Sequence, residues 1–301
     1  MLFLRRENRK ITEKKEFAKE IEYNFLYFSS FAVYKELFSQ KMIMTATKRQ
    51  KGDIKPVDIV ADSHVGLVRD CNEDSYVYYV SENDTNAFVA VADGIGGHEG
   101  GDIASSLCMK TIVTAWKNSS IAKTSSKNKI KKFLDVNLRR ANKIIYDLNR
   151  SFNIQHPMGT TVVAGVFFPG GLTLAHAGDS RCYRLRNGIM EQLTADHSYV
   201  ADLVRNKLIS LEEAKNHPFA HIISRSIGPI EDVELEIKTY ERRARDRYLF
   251  CSDGLTVHLD DIEIETILYD ASNPYDAARN LLYTALRGGG EDNITVLCVF
   301  T

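Results

Sequence analysis

From residue 57 onward the chain alternates between short apolar runs and stretches of helical periodicity. Val57–Val65 alternates loosely and predicts a strand, after which a polar loop runs to Tyr76–Val80. Ala87–Ala92 is a continuous apolar run that ends in Asp93-Gly94. Ala104–Trp116 and Ile130–Phe152 repeat apolar residues three and four apart, which places them on one face of a helix. Thr160–Phe168, Leu172–Ala177, Cys182–Leu185 and Met190–Leu193 follow as short strands, punctuated by Pro169-Gly170-Gly171, Gly178-Asp179 and Asn187-Gly188. An Asn-Gly pair between strands is a strong hairpin signal, because a type I′ turn needs φ > 0 at both central residues. Two polar helices are expected around 199–206 and 211–216, strands at 233–239 and 247–252, helices at 261–270 and 275–287, and a last strand at 294–300. Consecutive strands joined by tight turns predict antiparallel sheets with helices grouped outside them, an α+β fold.

The first 55 residues read differently. Phe17, Ile21, Phe25, Phe28 and Phe31 recur at helical spacing, and Thr45–Pro56 is a polar, Lys-rich linker. The expected organisation is therefore an N-terminal helical extension and linker over 1–55 and a folded domain over 56–301. The helix could pack on the body, contact a partner, or be dispensable if the physiological start is Met42 or Met44. It is too polar and too far from the start for a secretory signal.

Charge sharpens the division. Residues 1–55 hold 13 Lys and Arg against 7 Asp and Glu, while the whole chain has a formal net charge of -1. The mildly acidic body offers no basic groove, which argues against nucleic acid as a partner. No stretch reaches the ~20 apolar residues of a membrane helix. Five scattered cysteines without a CxxC pair argue against thiolate metal sites and a disulfide framework, and for a reducing cytoplasm. Cys251 and Cys298 sit in apolar runs and read as small buried hydrophobes.

Four places share one design, an aspartate at the end of an apolar strand beside glycine or asparagine: Asn72-Glu73-Asp74, Asp93-Gly94, Asp253-Gly254 and Asp292-Asn293. One Asp-Gly is only a turn. Four of them can converge on one cleft, where mutually repelling carboxylates are stable only if protonated or occupied by cations. Oxygen donors without His or Cys select hard ions such as Mg²⁺ or Mn²⁺, and paired ions of that kind activate water for attack on a phosphoryl group. Arg69, five residues before Asp74, could grip phosphate oxygens; its alternative is a surface pair with Asp70. Gly94–Gly101 follows a strand and precedes a helix, yet Glu99 breaks the dinucleotide fingerprint and Asp102 stands where a P-loop needs Lys.

Taken together, Gly66–Asp74, Val91-Ala92-Asp93-Gly94-Ile95-Gly96-Gly97-His98, Met158-Gly159-Thr160-Thr161, Ala177-Gly178-Asp179-Ser180-Arg181, Leu193–Ser198, Cys251–Gly254 and Asp292–Thr295 resemble the PPM family of metal-dependent type 2C serine/threonine protein phosphatases in its bacterial form. The resemblance implies a four-layer α-β-β-α sandwich of two mostly antiparallel sheets flanked by helices. It implies two Mg²⁺ or Mn²⁺ ions, with a weaker third left open. Asp74 and Asp253 would hold one ion, Asp292 would join from the late strands, Asp93 would bridge both, and the Gly94 carbonyl would complete the second site. Glu73 would act through ordered water, Asp179 would help hold a third ion, and Arg69 would bind the phosphate. The implied chemistry is hydrolysis of phosphoserine and phosphothreonine in proteins by a metal-bridging hydroxide, without a phosphoenzyme. The implied partners are phosphoproteins made by a serine/threonine kinase, and a flap over about 199–226, with Asn216 and His217 near its end, would gate access.

Two departures stand out. Val257 occupies the place of an aspartate often found four residues after Asp253, which puts the third ion in question. Ile95 replaces the general-acid histidine of animal members, and His98 is a candidate substitute. The alternative function is a catalytically weak phosphoprotein-binding module; a two-metal nuclease would need a basic channel that the acidic body lacks.

Overall fold

The computed structural model describes residues 57–80, 86–96, 100–215 and 217–301. The N-terminal helix expected around Phe17–Phe31, together with His98 and Asn216, lies outside the described residues.

Two five-stranded antiparallel sheets face one another. The first is ordered β1 (Asp58–His64), β12 (Ile294–Phe300), β11 (Arg247–Cys251), β8 (Arg181–Arg186) and β9 (Ile189–Gln192). The second is ordered β10 (Glu236–Glu241), β7 (Gly171–Ala177), β6 (Val162–Phe168), β3 (Ala87–Ala92) and β2 (Ser75–Tyr79). A two-residue pair, β4 (Gly94–Ile95) with β5 (Gly159–Thr160), has no apolar run of its own to announce it. Helices α1 (Gly101–Lys117) and α2 (Lys127–Ser151) cover the second sheet; α6 (Asp261–Asp270) and α7 (Pro274–Arg287) cover the first. The expected α-β-β-α sandwich is what the chain forms.

Strand pleating sorts the core. Along β3, Phe88, Ala90 and Ala92 face the α1–α2 layer, while Ala87, Val89 and Val91 face the opposite sheet. Along β12, Ile294, Val296 and Cys298 face α6–α7, while Leu297 and Val299 face the other sheet. Both faces are buried, so these strands read as continuous apolar runs rather than alternations. Each large side chain removed from water here contributes about 1.5–3 kcal/mol. Trp116, stacked on Phe88 at 5.4 Å and edge-on to Phe133 at 5.9 Å, locks the end of α1 onto the sheet. Cys108, Cys182, Cys251 and Cys298 are all buried, as small hydrophobes are.

Local signals set most helix starts. Ser126 caps α2 through the Lys129 N–H; Asp260 and Glu263 form a reciprocal capping box on α6; Asn273 caps α7 with Pro274 at its first position. The expected strand at 233–239 is displaced to Glu236–Glu241. Val233 is buried as part of the connection into β10, its carbonyl accepting from Arg139 at 2.8 Å, so its apolar character serves the helix layer rather than a strand. Among the described residues no helix is long and apolar enough to cross a membrane.

Between β9 and β10 the chain carries α3 (Tyr199–Arg205) and α4 (Leu211–Lys215). Backbone bonds from Ser224 N–H to the His197 carbonyl (2.8 Å), and between Ile227 and Thr160 in both directions, close the stem of this excursion.

Candidate metal centre

The aspartates arrive from both sheets. Asp74 immediately precedes β2, Asp93 follows β3, Asp179 lies in the turn after β7, and Asp253 opens the short helix α5 (Asp253–Thr256) after β11. Asp292 sits in the loop between α7 and β12. Asp93 and Asp253 meet across the gap between the sheets, near enough for each carboxyl to shift the other's titration. Asp74 Oδ2 accepts from the Ser252 hydroxyl at 2.7 Å. Arg69 Nη2 donates to Asp292 Oδ2 at 2.8 Å, so the partner of Arg69 lies 223 residues away and is not Asp70.

Glycine lets the backbones close in. A Cβ on Gly94 would stand 2.3 Å from the Gly101 carbonyl oxygen and 2.7 Å from that of Glu73. A Cβ on Gly254 would stand 2.1 Å from the Asn293 carbonyl oxygen. Only glycine fits either place.

The electrostatics of the cluster are unfavourable as it stands. Burial pushes the Asp74 carboxyl up to about 7, with the Ser252 hydrogen bond opposing and Asp253 and Asp292 adding to the rise. Burial, then Asp253 and Asp196, raises Asp179 to about 7 as well. Asp93 is driven well above the carboxylate range by burial and by the charges of Asp253 and Asp74. Asp253 is raised by burial, with the neighbouring Asp93 carboxyl and the charge of Arg181 opposing. Glu73 is raised by burial and by Asp102, with Arg69 opposing. Oδ1 of Asp74 and Oδ1 of Asp179 are buried without a hydrogen-bond partner among the described residues. Orphaned oxygens and mutually raised carboxyls, all oxygen donors, are the environment that hard divalent cations satisfy.

Two residues that motif reading passed over hold this arrangement. Asn293 accepts from Glu73 N–H at 2.7 Å and donates to the carbonyls of Val65 (2.8 Å) and Cys71 (2.9 Å), tying the 65–74 loop to the start of β12. Ser252, besides its bond to Asp74, accepts from Thr295 N–H at 2.9 Å. Each belongs to a quoted motif, but its role depends on partners far along the chain. Behind Asp179, Arg181 is clamped bidentately on Asp196 and donates to the Tyr183 hydroxyl at 2.8 Å, supplying one half-buried positive charge.

A second group offers ligands of another kind. His176, His197 and Glu236 bring one ligand atom each within 4.8 Å of one another, a set that could take one divalent ion. The two imidazoles stack at 4.5 Å, and burial keeps both neutral, His197 at about 4. His197 Nδ1 accepts from Gly178 N–H at 3.3 Å, which leaves the proton on Nε2, 3.5 Å from Glu236 Oε2, so an ion there competes with contacts that hold the stem of the excursion. His217 packs instead with Tyr199 and Phe219 at 5.9 and 5.7 Å. Val257 is exposed and brings no carboxylate.

The family model described as "Protein phosphatase 2C" matches residues 64–283. The chain is similar to the serine/threonine phosphatase stp of Listeria monocytogenes, 37% identical over 234 residues, 78% of this chain and 92% of the relative. It is 39% identical over 239 residues to the serine/threonine protein phosphatase PstP of Mycobacterium tuberculosis, 79% of this chain and 43% of that protein. Among solved structures, the S. agalactiae serine/threonine phosphatase superposes with a TM-score of 0.75 at 32% identity, covering 82% of this chain and all (100%) of the other. The PstP catalytic domain in complex with two manganese ions superposes with a TM-score of 0.70 at 35% identity, covering 81% and 99%.

Proposed function

The chain belongs to the protein phosphatase 2C family, and from that premise we propose that its buried carboxylate centre carries metal-dependent hydrolysis of phosphoserine and phosphothreonine in proteins. The observation that carries this assignment of the centre is the convergence of Asp74, Asp93, Asp179 and Asp253 with two unpartnered buried oxygens, beside Arg69 and Asp292.

Asp74, Asp93, Asp253, Asp292 and the Gly94 carbonyl would hold two Mg²⁺ or Mn²⁺ ions, in keeping with the two manganese ions of the similar PstP domain. Asp179 would help hold a weaker third ion, for which Val257 supplies no ligand, and Glu73 would act through ordered water. When bound, such ions supply Lewis acidity that activates water and neutralises charge on the phosphoryl oxygens. The remaining work falls to the chain. Arg69, about half exposed at the rim, presents guanidinium donors to the phosphate while Asp292 fixes its direction. Ser252 and Asn293 keep the Asp74 loop in register with β12. Asp93 and Asp253 are half-buried between the sheets, and the reduced contact with bulk water strengthens the charge interactions in the centre.

We assign catalysis to the domain over 56–301, with substrates that are products of serine/threonine kinases. The free cysteines accord with action in a reducing cytoplasm. The excursion carrying α3 and α4 would gate protein substrates. Hydrolysis of a phosphothreonine peptide with Mn²⁺, with EDTA, and by Asp253→Ala tests the reading. Turnover that requires both Mn²⁺ and Asp253 supports it; inactivity of folded, Mn²⁺-supplied protein refutes it and favours a phosphoprotein-binding module.

A further inference from the structure

Charge is distributed over the sandwich in a way that catalysis does not use. Residues 101–151, which form α1 and α2, hold 11 Lys and Arg against three Asp, inside a body that is acidic as a whole. Residues 253–292, which carry α5–α7, hold nine Asp and Glu against two Arg. The two outer layers of the fold are thus oppositely charged.

The positive layer is concentrated at one tip. From Lys117 to Lys132 there are six lysines (117, 123, 127, 129, 131 and 132) and no carboxylate. The fold gathers them where α1 ends, a 3-10 turn (Ile121–Lys123) follows, and α2 begins. Five are exposed and Lys131 is half-buried; none forms an ion pair with a carboxylate among the described residues. Counting Glu82 and Asp84, which precede Asn86 in sequence, against them still leaves a net charge of +4. The tip is firmly built: Ile121 and Ala122 are buried, and Asn86 donates to the carbonyls of Ile121 (2.6 Å) and Thr124 (2.7 Å).

These lysines work against their own helix. The first turn of α2 contains no acidic residue, although the positive pole of a helix favours Asp and Glu there. Lys127 and Lys131 are four apart, and Lys129 and Lys132 three apart, so like charges repel along one face. Local stability does not account for the pattern, whereas an anionic surface outside the protein would.

We propose that this lysine tip docks the domain on an anionic lipid surface. Three observations select that partner. Every basic residue of the tip is Lys, a point charge without the fork that reads individual phosphates bidentately. The tip carries no exposed aromatic on which nucleic-acid bases would stack. It also lacks an exposed large apolar side chain, the kind of anchor that a stable protein interface centres on. Clusters of four to eight basic residues suffice for attachment to anionic membranes. The geometry also leaves the catalytic edge free. The centre abuts the first turns of α1, where Ser105 bonds the Glu73 carbonyl at 2.6 Å, and Lys117 ends that helix about 18 Å beyond Ser105 along its axis.

The test uses the full chain and the variant Lys127→Gln/Lys129→Gln/Lys131→Gln/Lys132→Gln, with vesicles of phosphatidylglycerol and phosphatidylcholine or of phosphatidylcholine alone. Wild type should sediment with the anionic vesicles only and be released by salt. Losing four lysines should weaken partitioning by about two orders of magnitude or more. Hydrolysis of a small aryl phosphate should be unchanged, and the melting temperature unchanged or higher because repulsion is relieved. Equal sedimentation of variant and wild type would overturn the proposal and move the attraction elsewhere in the chain. So would equal binding to neutral vesicles, or displacement from anionic vesicles by sub-stoichiometric duplex DNA.

Discussion

Asn293→Ala should damage the centre without removing a single proposed metal ligand. The side chain makes three hydrogen bonds, one accepted from Glu73 N–H and two donated to the Val65 and Cys71 carbonyls, and Asn293 itself is 6% exposed. Truncation leaves three backbone groups without partners. A buried unsatisfied group costs about 1–3 kcal/mol, and because the 65–74 loop is partly open to water the lower end applies, for a total of about 3 kcal/mol. For a domain of this size that lowers the melting temperature by about 6–12 °C. The same loop carries Arg69, Glu73 and Asp74, so Mn²⁺ titrated calorimetrically should bind more weakly as well. Asn293→Asp is the informative companion. It keeps the acceptor for Glu73 N–H, loses both donors and sets a carboxylate against two carbonyl oxygens, so it should fare no better than alanine in stability. A melting temperature within 2 °C of wild type together with unchanged Mn²⁺ affinity would show that the loop holds its shape without Asn293.

Other outcomes follow from the same geometry. Ser252→Ala removes a 2.7 Å hydrogen bond to the buried Asp74 carboxylate and should weaken Mn²⁺ binding by about tenfold, at about 1.5 kcal/mol for a bond to a charged group; unaltered binding would mean that the cation alone positions Asp74. Arg69→Ala breaks an exposed ion pair worth at most about 1 kcal/mol of stability. It should nevertheless cut kcat/KM on a phosphothreonine peptide by about thirtyfold if its donors meet the phosphate, and a fall in melting temperature without a kinetic change would place Arg69 in the scaffold instead. In metal-free protein the folded state holds Asp74 and Asp179 protonated up to about pH 7, while the unfolded chain releases those protons near pH 4. The folded state therefore binds more protons across that window, and stability should fall as pH rises from about 4 to 7. Melting curves in EDTA would show it, Mn²⁺ should restore the loss at pH 8, and a metal-free protein that becomes steadily more stable from pH 5 to 8 would contradict the assignment of these shifts.

Much of the fold was legible because its strands are buried on both faces and broken by turn residues of defined conformation. Ala87–Ala92 and Ile294–Phe300 could hardly be anything but interior strands once Asp93-Gly94 and Asp292-Asn293 marked their ends. What escaped depended on distant partners. The two-residue pairing of Gly94–Ile95 with Gly159–Thr160 has no periodicity to detect, and Val233 is apolar for the sake of the helix layer. The candidate aspartates were legible from their repeated strand-end position. The Arg69–Asp292 pair and the hubs at Ser252 and Asn293 were not, because a hydrogen bond spanning 223 residues leaves no local trace.

The strand order has a consequence for how the chain comes to life. β12, the last seven-residue strand, lies between β1 and β11, pairing Asp58 with Phe300 on one side and Arg247 with Phe300 on the other. During synthesis β1 therefore waits without its neighbour until residues 294–300 have left the ribosome. Asp292 and Asn293, which lock the Arg69 loop, emerge at the same late moment. A nascent chain can collapse its α1–α2 half early, but it cannot assemble the catalytic edge, and any truncation upstream of residue 292 leaves two strands with open edges that invite aggregation.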